Sequence, residues 1–159
     1  MNIFIIVLGK FLSFVSKKFN LGNGSTWPGH LALKLNPNFI QDSFKESRAQ
    51  IILITGTNGK TTTAKLIKTI FEENNITLFA NKSGANLLNG IASSIILEAG
   101  LLSGIKKDYA VCDVDENALT NVCDKITPDF IIGLNLFRDQ LDRYEEKNTI
   151  DAHVKTIKE

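Results

Sequence analysis

The stretch ITGTNGKTTTAKL, residues 54–66, contains a glycine, two further residues and then Gly-Lys-Thr. The common phosphate-binding loop has four residues between its first glycine and its Gly-Lys-Thr, and Ile54 stands here where that glycine would be. The surroundings still suit such a loop, because the apolar run QIILIT (50–55) precedes it and an amphipathic helical pattern begins at about Lys60. The sequence therefore predicts a buried strand, a tight glycine turn and a helix in succession.

This turn is predicted to bind the phosphates of a nucleotide. Gly56 and Gly59 permit close backbone approach and unusual torsion angles, and the unpaired N–H groups at a helix start attract an anion. Lys60 would neutralise phosphate charge, and the hydroxyl of Thr61 would hold Mg²⁺. An ordinary strand–turn–helix joint with an exposed lysine is the alternative interpretation. The predicted nucleotide-binding residues of the loop are Gly56, Thr57, Asn58, Gly59, Lys60, Thr61 and Thr62.

The chain continues with alternating strand-like and helix-like segments. Further strands are predicted at 76–81, 108–115 and 129–135, and helices at 60–75, 85–100, 116–122 and 139–159. Before the first strand, Pro37 is predicted to open a helix that ends at about Arg48, whereas NLGNGSTWPGH (20–30) has the composition of a loop. The alternation predicts an α/β fold of the P-loop type, with a mainly parallel sheet flanked by helices.

Charge and cysteine content argue against two classes of function. The 159 residues carry a net charge of +1 with no basic stripe, which argues against a nucleic-acid-binding protein. Cys112 and Cys123 lie far from both histidines and lack the spacing of a zinc site. Two reduced thiols are predicted, with a disulfide between them as the alternative.

The N-terminal stretch from Ile3 to Val15 is apolar, but its 13 residues fall short of the ~20 that span a bilayer. Its lysines lie within and after the apolar run, and no clear cleavage site follows, which argues against a signal peptide. An amphipathic helix is predicted, either packed on the domain or in peripheral contact with a membrane surface.

Polar residues that follow the later strands extend the predicted site. Asp113 ends a strand at the edge where α/β sheets bind ligands, so it is a candidate Mg²⁺ ligand, directly or through water. A solvated acid is the alternative. Asp115 and Glu116 either belong to the same site, or Asp115 caps the helix that follows. Asn135 ends the last strand at the same edge.

Two further groups leave their roles open. Asn86 either contributes with Ser83 to a second anion-binding turn or caps the helix that follows it. Arg138 and Asp139 come after the last strand, together with Gln140, Asp142 and Arg143. One or two of this group are predicted to contact nucleotide or substrate, and the others to form surface ion pairs.

The shortened loop, TGTNGKTTT (55–63), resembles that of the Mur ligase and folylpolyglutamate synthase superfamily. Four other stretches resemble the Mur-ligase-like subunit of lipid II isoglutaminyl synthase: TWPGHLALKLNPNFI (26–40), NKSGANLLNGI (81–91), CDVDENAL (112–119) and NLFRDQLDRYEE (135–146). The resemblance runs from about Leu8 to Asp151. This chain departs from it at Asp113, where the family usually has Glu, and at Glu145, where it has Gly.

The resemblance implies an ATP- and Mg²⁺-dependent enzyme of bacterial peptidoglycan synthesis. Such an enzyme phosphorylates the D-glutamate α-carboxyl of lipid II, and ammonia from a glutamine amidotransferase partner then displaces the phosphate. Lys60 would be the catalytic residue, and Thr61 and Asp113 the metal ligands. The setting implied is the bacterial cytoplasm, at the inner face of the membrane.

The resemblance also implies a division of the chain into an N-terminal segment of helix and loop (1–48) and a central ATP-binding domain (49–159). This domain is expected to be incomplete at its C-terminus, because the zinc-ribbon cysteines and C-terminal domain of the family are not in the sequence. Two alternatives stay open. One is a folylpolyglutamate-synthase-like or amino-acid-adding ligase, and the other is a nucleotide-binding fragment without ligase activity.

Overall fold

The computed structural model describes residues 3–18, 26–81, 85, 87–100 and 105–135. Helices and strands alternate along most of this part of the chain, as the sequence predicts. The helices are α1 (Ile3–Lys18), α2 (Trp27–Leu35), α3 (Phe39–Ser47), α4 (Lys60–Glu73), α5 (Leu88–Glu98) and α6 (Leu119–Cys123), with a 3₁₀ turn at Glu116–Ala118. The strands are β1 (Gln50–Thr55), β2 (Leu78–Ala80), β3 (Tyr109–Asp113) and β4 (Phe130–Gly133).

The strands form one sheet in the order β2-β3-β1-β4, and every neighbouring pair is parallel. The α/β class and the parallel sheet are thereby confirmed. In the register of β1, Ile54 lies opposite Asp113 of β3, and Thr55 lies opposite Gly133 of β4. The carboxyl ends of these three strands therefore meet at the same edge of the sheet.

Both faces of the sheet are covered, which explains the nearly continuous apolar character of β1. On one face, Ile52 and Ile54 belong to a small core against which Ala64, Ile67 and Phe71 of α4 pack. On the other face, alternate strand residues join a larger core with α1, α2, α3 and α5. Its largest fully buried members include Phe39, Phe79, Leu53, Ile91, Ile95 and Ile96.

Helix α2 corrects the prediction that residues 20–30 form a loop, since the helix begins at Trp27. Pro28 lies in its first turn, where the missing N–H has no intrahelical partner to lose. Gly29 gives α2 its close approach to α5, and its N–H donates to Ser93 Oγ at 2.8 Å. The Pro-Gly pair thus serves a buried helix contact and not a surface turn.

Three other elements differ from the sequence prediction in their extent or their burial. Helix α3 begins at Phe39 and not at Pro37, because the side chain of Asn36 accepts a hydrogen bond from the N–H of Asn38 and forms a turn there. Strand β2 is three residues long. Strand β4 is partly exposed and not fully buried. The helix predicted for 139–159 lies outside the described residues.

Helix α1 packs on the domain, as one of the two predictions for the N-terminal stretch states. Ile5 and Ile6 belong to the larger core, and a Cβ on Gly9 would lie 2.8 Å from the side chain of Ile96. Among the described helices, none has the length and apolar character needed to cross a bilayer.

The two cysteines are free thiols, as predicted, and neither forms a disulfide. Cys112 lies inside the sheet, and burial raises the pKa of its thiol far above the usual value. Burial also raises the pKa of the half-buried Cys123 thiol. Both side chains therefore act as small apolar groups of the core at neutral pH.

The contact between α2 and α5 can be tested at Gly29. A Cβ there would overlap the backbone oxygen of Asn89 and lie 2.6 Å from the backbone nitrogen of Ser93. Because backbone atoms cannot move aside cheaply, we expect Gly29→Ala to lower the free energy of unfolding by about 2–3 kcal/mol. Ser93→Ala removes only one hydrogen bond and should cost about 1 kcal/mol. Denaturant unfolding of both variants measures the difference, and equal losses would contradict the close approach.

Candidate nucleotide-binding site

The glycine turn adopts the backbone shape that the sequence predicts for it. Gly56 has φ +135° and Gly59 has φ +89°, both in the region that disfavours side chains. A Cβ at Gly56 would also lie 2.9 Å from the Cβ of Leu134. These two positions need glycine, so the turn after β1 is fixed by sterics.

Asn135, which follows β4, holds the turn in place. Its backbone oxygen accepts the N–H of Thr57 at 2.7 Å, and its Oδ1 accepts the N–H of Asn58 at 3.0 Å. Leu134 donates its N–H to Thr55 O at 2.9 Å, which continues the strand pairing up to the turn. The prediction that Asn135 lies at the site edge is thus met by a direct contact with the loop.

The first N–H groups of α4 lie at the turn and have no intrahelical partner. The N–H of Thr63 donates to Gly59 O at 2.8 Å and closes the first turn, so those of Lys60, Thr61 and Thr62 come before the first intrahelical bond. Gly59 is the N-cap and offers no side chain to satisfy them. Such a helix start attracts phosphate through its N–H groups and its dipole.

Lys60 is folded over the turn. Its Nζ donates to Gly56 O, to Thr57 O at 3.3 Å and to Glu116 Oε2 at 3.3 Å. The ion pair is sheltered, since the side chains of Lys60 and Glu116 are 13% and 5% exposed. The ammonium group therefore lies over the glycine turn, between its carbonyl oxygens and Glu116.

Asp113 faces the same turn from the end of β3. Its Oδ2 accepts a hydrogen bond from Thr61 Oγ1 at 2.9 Å. Neighbouring ligands of an octahedral Mg²⁺ lie about 2.9 Å apart, given Mg–O distances of ~2.0–2.1 Å. The two predicted metal ligands thus have the separation that a shared ion requires.

Asn81, which sequence reasoning missed, orients Asp113 from the end of β2. Its Nδ2 donates to Asp113 Oδ1 at 2.7 Å, and its Oδ1 accepts the backbone N–H of Asp113 at 2.9 Å. The carboxylate is buried and held from two sides. Its position in the sequence could have indicated this role, since Asn81 directly follows β2 and therefore lies at the same edge of the sheet.

The structure separates the two acids that follow Asp113. Asp115 Oδ1 accepts the N–H of Asn117 at 3.0 Å, which confirms it as a cap. Glu116 turns inward to Lys60, and its Oε1 is buried without a hydrogen-bond partner among the described residues. Glu116 therefore lies beside Lys60 at the candidate site, which is the position that the sequence left open.

The described residues do not form a metal site made of protein side chains alone. Residues 3–18, 26–81, 85, 87–100 and 105–135 contain no group of three or more His, Cys, Asp or Glu side chains that could hold a metal ion. Mg²⁺ is commonly bound by one or two carboxylates together with water and the phosphates of a substrate. The Thr61–Asp113 pair fits that mode, with phosphate and water supplying the other ligands.

Comparison with known proteins identifies the family. The Mur ligase middle domain family matches residues 54–158. The chain belongs to the Mur ligase family. The lipid II isoglutaminyl synthase (glutamine-hydrolyzing) subunit MurT of Streptococcus pneumoniae is 38% identical over 141 residues, which is 89% of this chain and 30% of that protein. The same subunit of Staphylococcus aureus is 38% identical over 136 residues, 86% of this chain and 29% of that protein.

A second group of Mur ligases also matches. The UDP-N-acetylmuramoylalanine–D-glutamate ligase of Chlorobium phaeobacteroides is 36% identical over 99 residues, 62% of this chain and 20% of that protein. The chain thus spans about 30% of the length of the MurT relatives that it matches.

The remaining residues singled out in the sequence have different outcomes. The backbone oxygen of Thr57 accepts a hydrogen bond from Lys60. Asn58 is exposed at the turn, and Thr62 is exposed at the start of α4. Asn86, Arg138 and Asp139 lie outside the described residues, as do Gln140, Asp142 and Arg143. Their proposed contacts with nucleotide or substrate stay predictions.

The Lys60–Glu116 pair makes a prediction for stability. Lys60→Ala leaves the Glu116 carboxylate buried without its cation, and breaking a buried pair from one side is costly. We expect a loss of about 2 kcal/mol in the free energy of unfolding, less than the ~3–5 kcal/mol of a deeply buried pair because the turn is open to water. Adding Glu116→Gln should restore most of this loss. Denaturant unfolding of the single and double variants measures the coupling, and additive losses would show that the pair is not formed.

Proposed function

We propose that this chain binds Mg²⁺ and ATP at the glycine turn and forms the ATP-binding part of a ligase. The carrying observation is the meeting of three groups at one sheet edge: the N–H groups at the start of α4, the Lys60 ammonium and the Thr61–Asp113 oxygen pair. These are the donors, the positive charge and the cation ligands that a nucleotide triphosphate requires. Bound Mg²⁺ would neutralise charge on the phosphates.

The reaction that we infer is amidation of the D-glutamate α-carboxyl of lipid II. A carboxylate oxygen attacks the γ-phosphorus of ATP, the bond to the bridging oxygen breaks, and ADP leaves. The nitrogen of ammonia then attacks the acyl carbon, phosphate leaves, and a proton is released with the amide. A glutamine amidotransferase partner would supply the ammonia. The relatives that match most of this chain are MurT subunits of lipid II isoglutaminyl synthase, and this supports the choice.

Each loop residue has a role in this proposal. Lys60 would exchange its bonds to the turn and to Glu116 for the β- and γ-phosphates, where it stabilises charge that builds up during transfer. Thr61 and Asp113 would hold Mg²⁺, with Asn81 fixing the orientation of the carboxylate. We further propose that 1–48 and 49–159 act as an N-terminal segment and the ATP-binding domain, working at the cytoplasmic face of the membrane.

An amino-acid-adding ligase is the second candidate, because UDP-N-acetylmuramoylalanine–D-glutamate ligases also match. That match covers 62% of the chain, against 89% for a MurT subunit. In such an enzyme an amino acid would attack the acyl phosphate in place of ammonia. The site described above serves both reactions equally, since it holds only the nucleotide.

Titration calorimetry with ATP tests the nucleotide site on the 159-residue chain. We expect Lys60→Ala to weaken binding at least tenfold, or about 1.4 kcal/mol, because phosphate charge loses its nearest cation. Asp113→Asn should weaken binding in the presence of Mg²⁺ and have little effect in EDTA. Lys65→Ala removes the same charge from an exposed position of α4 and should bind as the wild type does. A folded wild type without binding, or equal losses at Lys60 and Lys65, would overturn the proposal.

A chimera tests the choice between ammonia and an amino acid. The matching segment of the Streptococcus pneumoniae MurT subunit would be replaced by this chain, and the chimera assayed with that subunit's own glutamine-hydrolysing partner. We expect amidated lipid II by mass spectrometry, and none from the Lys60→Ala chimera. Addition of an amino acid without amidation would favour the second candidate. No product from a chimera that still binds ATP would refute the ligase assignment while leaving the nucleotide site intact.

A further inference from the structure

Helix α1 has an outer face that is apolar from Ile3 to Phe14. Ile3, Phe4, Val7, Phe11 and Phe14 are 41%, 73%, 46%, 61% and 64% exposed. They recur at intervals of three and four residues, which places them on one stripe of the helix. The opposite stripe, with Ile5, Ile6, Gly9 and Ser13, is buried against the domain. A helix on the surface of a protein ordinarily has polar side chains where α1 has phenylalanine.

A further exposed apolar side chain is Trp27 at the start of α2, which is 70% exposed. Trp27 lies across a cavity of about 450 Å³ that it shares with Leu12, Val15 and Ser16 of α1. The stripe, Trp27 and this cavity together form what we term the α1 face. An apolar exposed surface of this extent marks a site of interaction with another molecule or a membrane.

The charged side chains of the segment that carries the α1 face are all of one sign. The first 41 residues contain four lysines (Lys10, Lys17, Lys18 and Lys34) and neither Asp nor Glu. Because the whole chain has a net charge of +1, the other 118 residues carry a net charge of −3. Lys10 is engaged with Ala99 O at 2.7 Å, while Lys18 and Lys34 are exposed at the ends of α1 and α2. The first 41 residues therefore carry a net charge of +4, and they include both α1 and α2.

We propose that the α1 face docks on an anionic lipid surface, with α1 lying in the plane of the interface. Aromatic side chains with lysines at the edge are the composition of helices that bind there: rings enter the boundary between head groups and acyl chains, and lysines contact anionic head groups. The cavity beside Trp27 gives an acyl chain an apolar wall to pack against.

The charge of this segment also favours a lipid surface over a second copy of the chain as the binding partner of the α1 face. Two copies that met through this face would bring two segments of net charge +4 together, without an acidic residue in either segment to compensate. An anionic bilayer supplies the opposite charge and the apolar layer at once. The inference depends on exposure and charge in α1 and α2, and it does not require the nucleotide site to function.

Vesicle sedimentation of the 159-residue chain tests the proposal. We expect binding to vesicles of phosphatidylcholine mixed with phosphatidylglycerol, at least tenfold weaker binding to phosphatidylcholine alone, and release by salt. Phe11→Gln with Phe14→Gln should reduce binding at least tenfold. The matched control is Leu66→Gln with Ile70→Gln, which alters two exposed apolar residues of α4 and should bind as the wild type does. Circular dichroism and the thermal midpoint establish that each variant is folded.

Several outcomes would overturn the proposal. A folded wild type that stays in solution with the mixed vesicles refutes it, as does undiminished binding of the Phe11/Phe14 variant. Equal binding to both kinds of vesicle refutes the preference for anionic lipid. Analytical ultracentrifugation without lipid tests whether a second copy of the chain occupies the α1 face. If the chain binds no vesicle but forms a dimer, and the Phe11/Phe14 variant is monomeric, the α1 face is a dimer interface.

Discussion

The site depends on the parallel pairing of β1 with β3 on one side and β4 on the other. Parallel strands end at the same edge, so Thr55, Asp113 and the residues after β4 are brought together although they are far apart in the sequence. This arrangement is the general one for ligand binding in open α/β sheets. The two residues between the glycines of the turn, Thr57 and Asn58, are held by hydrogen bonds to Asn135, which lies outside the loop.

Two carboxylates lie near a turn that is suited to phosphate, and each is balanced in its own way. Glu116 is paired with Lys60, so the ammonium group is held in the turn before any anion arrives. Asp113 is bound by Thr61 and by Asn81, which fixes the direction of its oxygens. The Asp113 carboxylate alone would repel a phosphate group. A cation bound by Thr61 and Asp113 would instead link this carboxylate to the phosphate. The two acids have different partners because they are carried by different elements: Asp113 ends β3, and Glu116 begins the 3₁₀ turn.

Much of the fold could be predicted from the sequence because the relevant signals are local. Strand β1 shows an apolar run, α4 an amphipathic stripe, and the turn its glycines. Helix α2 was missed because Pro28 and Gly29 resemble loop residues until the neighbouring α5 is known. Glu116 and Asn81 acquire their partners only through tertiary contacts, 56 residues away for Glu116 and 32 for Asn81. The sequence pattern also could not predict which side of α1 faces the domain, because both the buried and the outer stripe of the helix are apolar.

The bond from Asn135 to the glycine turn has a consequence for the order of events during synthesis. The hydrogen bond from Asn58 to Asn135 closes a separation of 77 residues, and that from Ile51 to Asp129 closes one of 78. Strand β1, the turn and α4 leave the ribosome long before these partners do. The glycine turn of the nascent chain therefore lacks these hydrogen bonds until β4 has emerged and paired, because closing so long a segment is slow and must precede the contacts that it makes possible. The hydrogen bonds that hold the glycine turn are thus completed only when β4 pairs with β1.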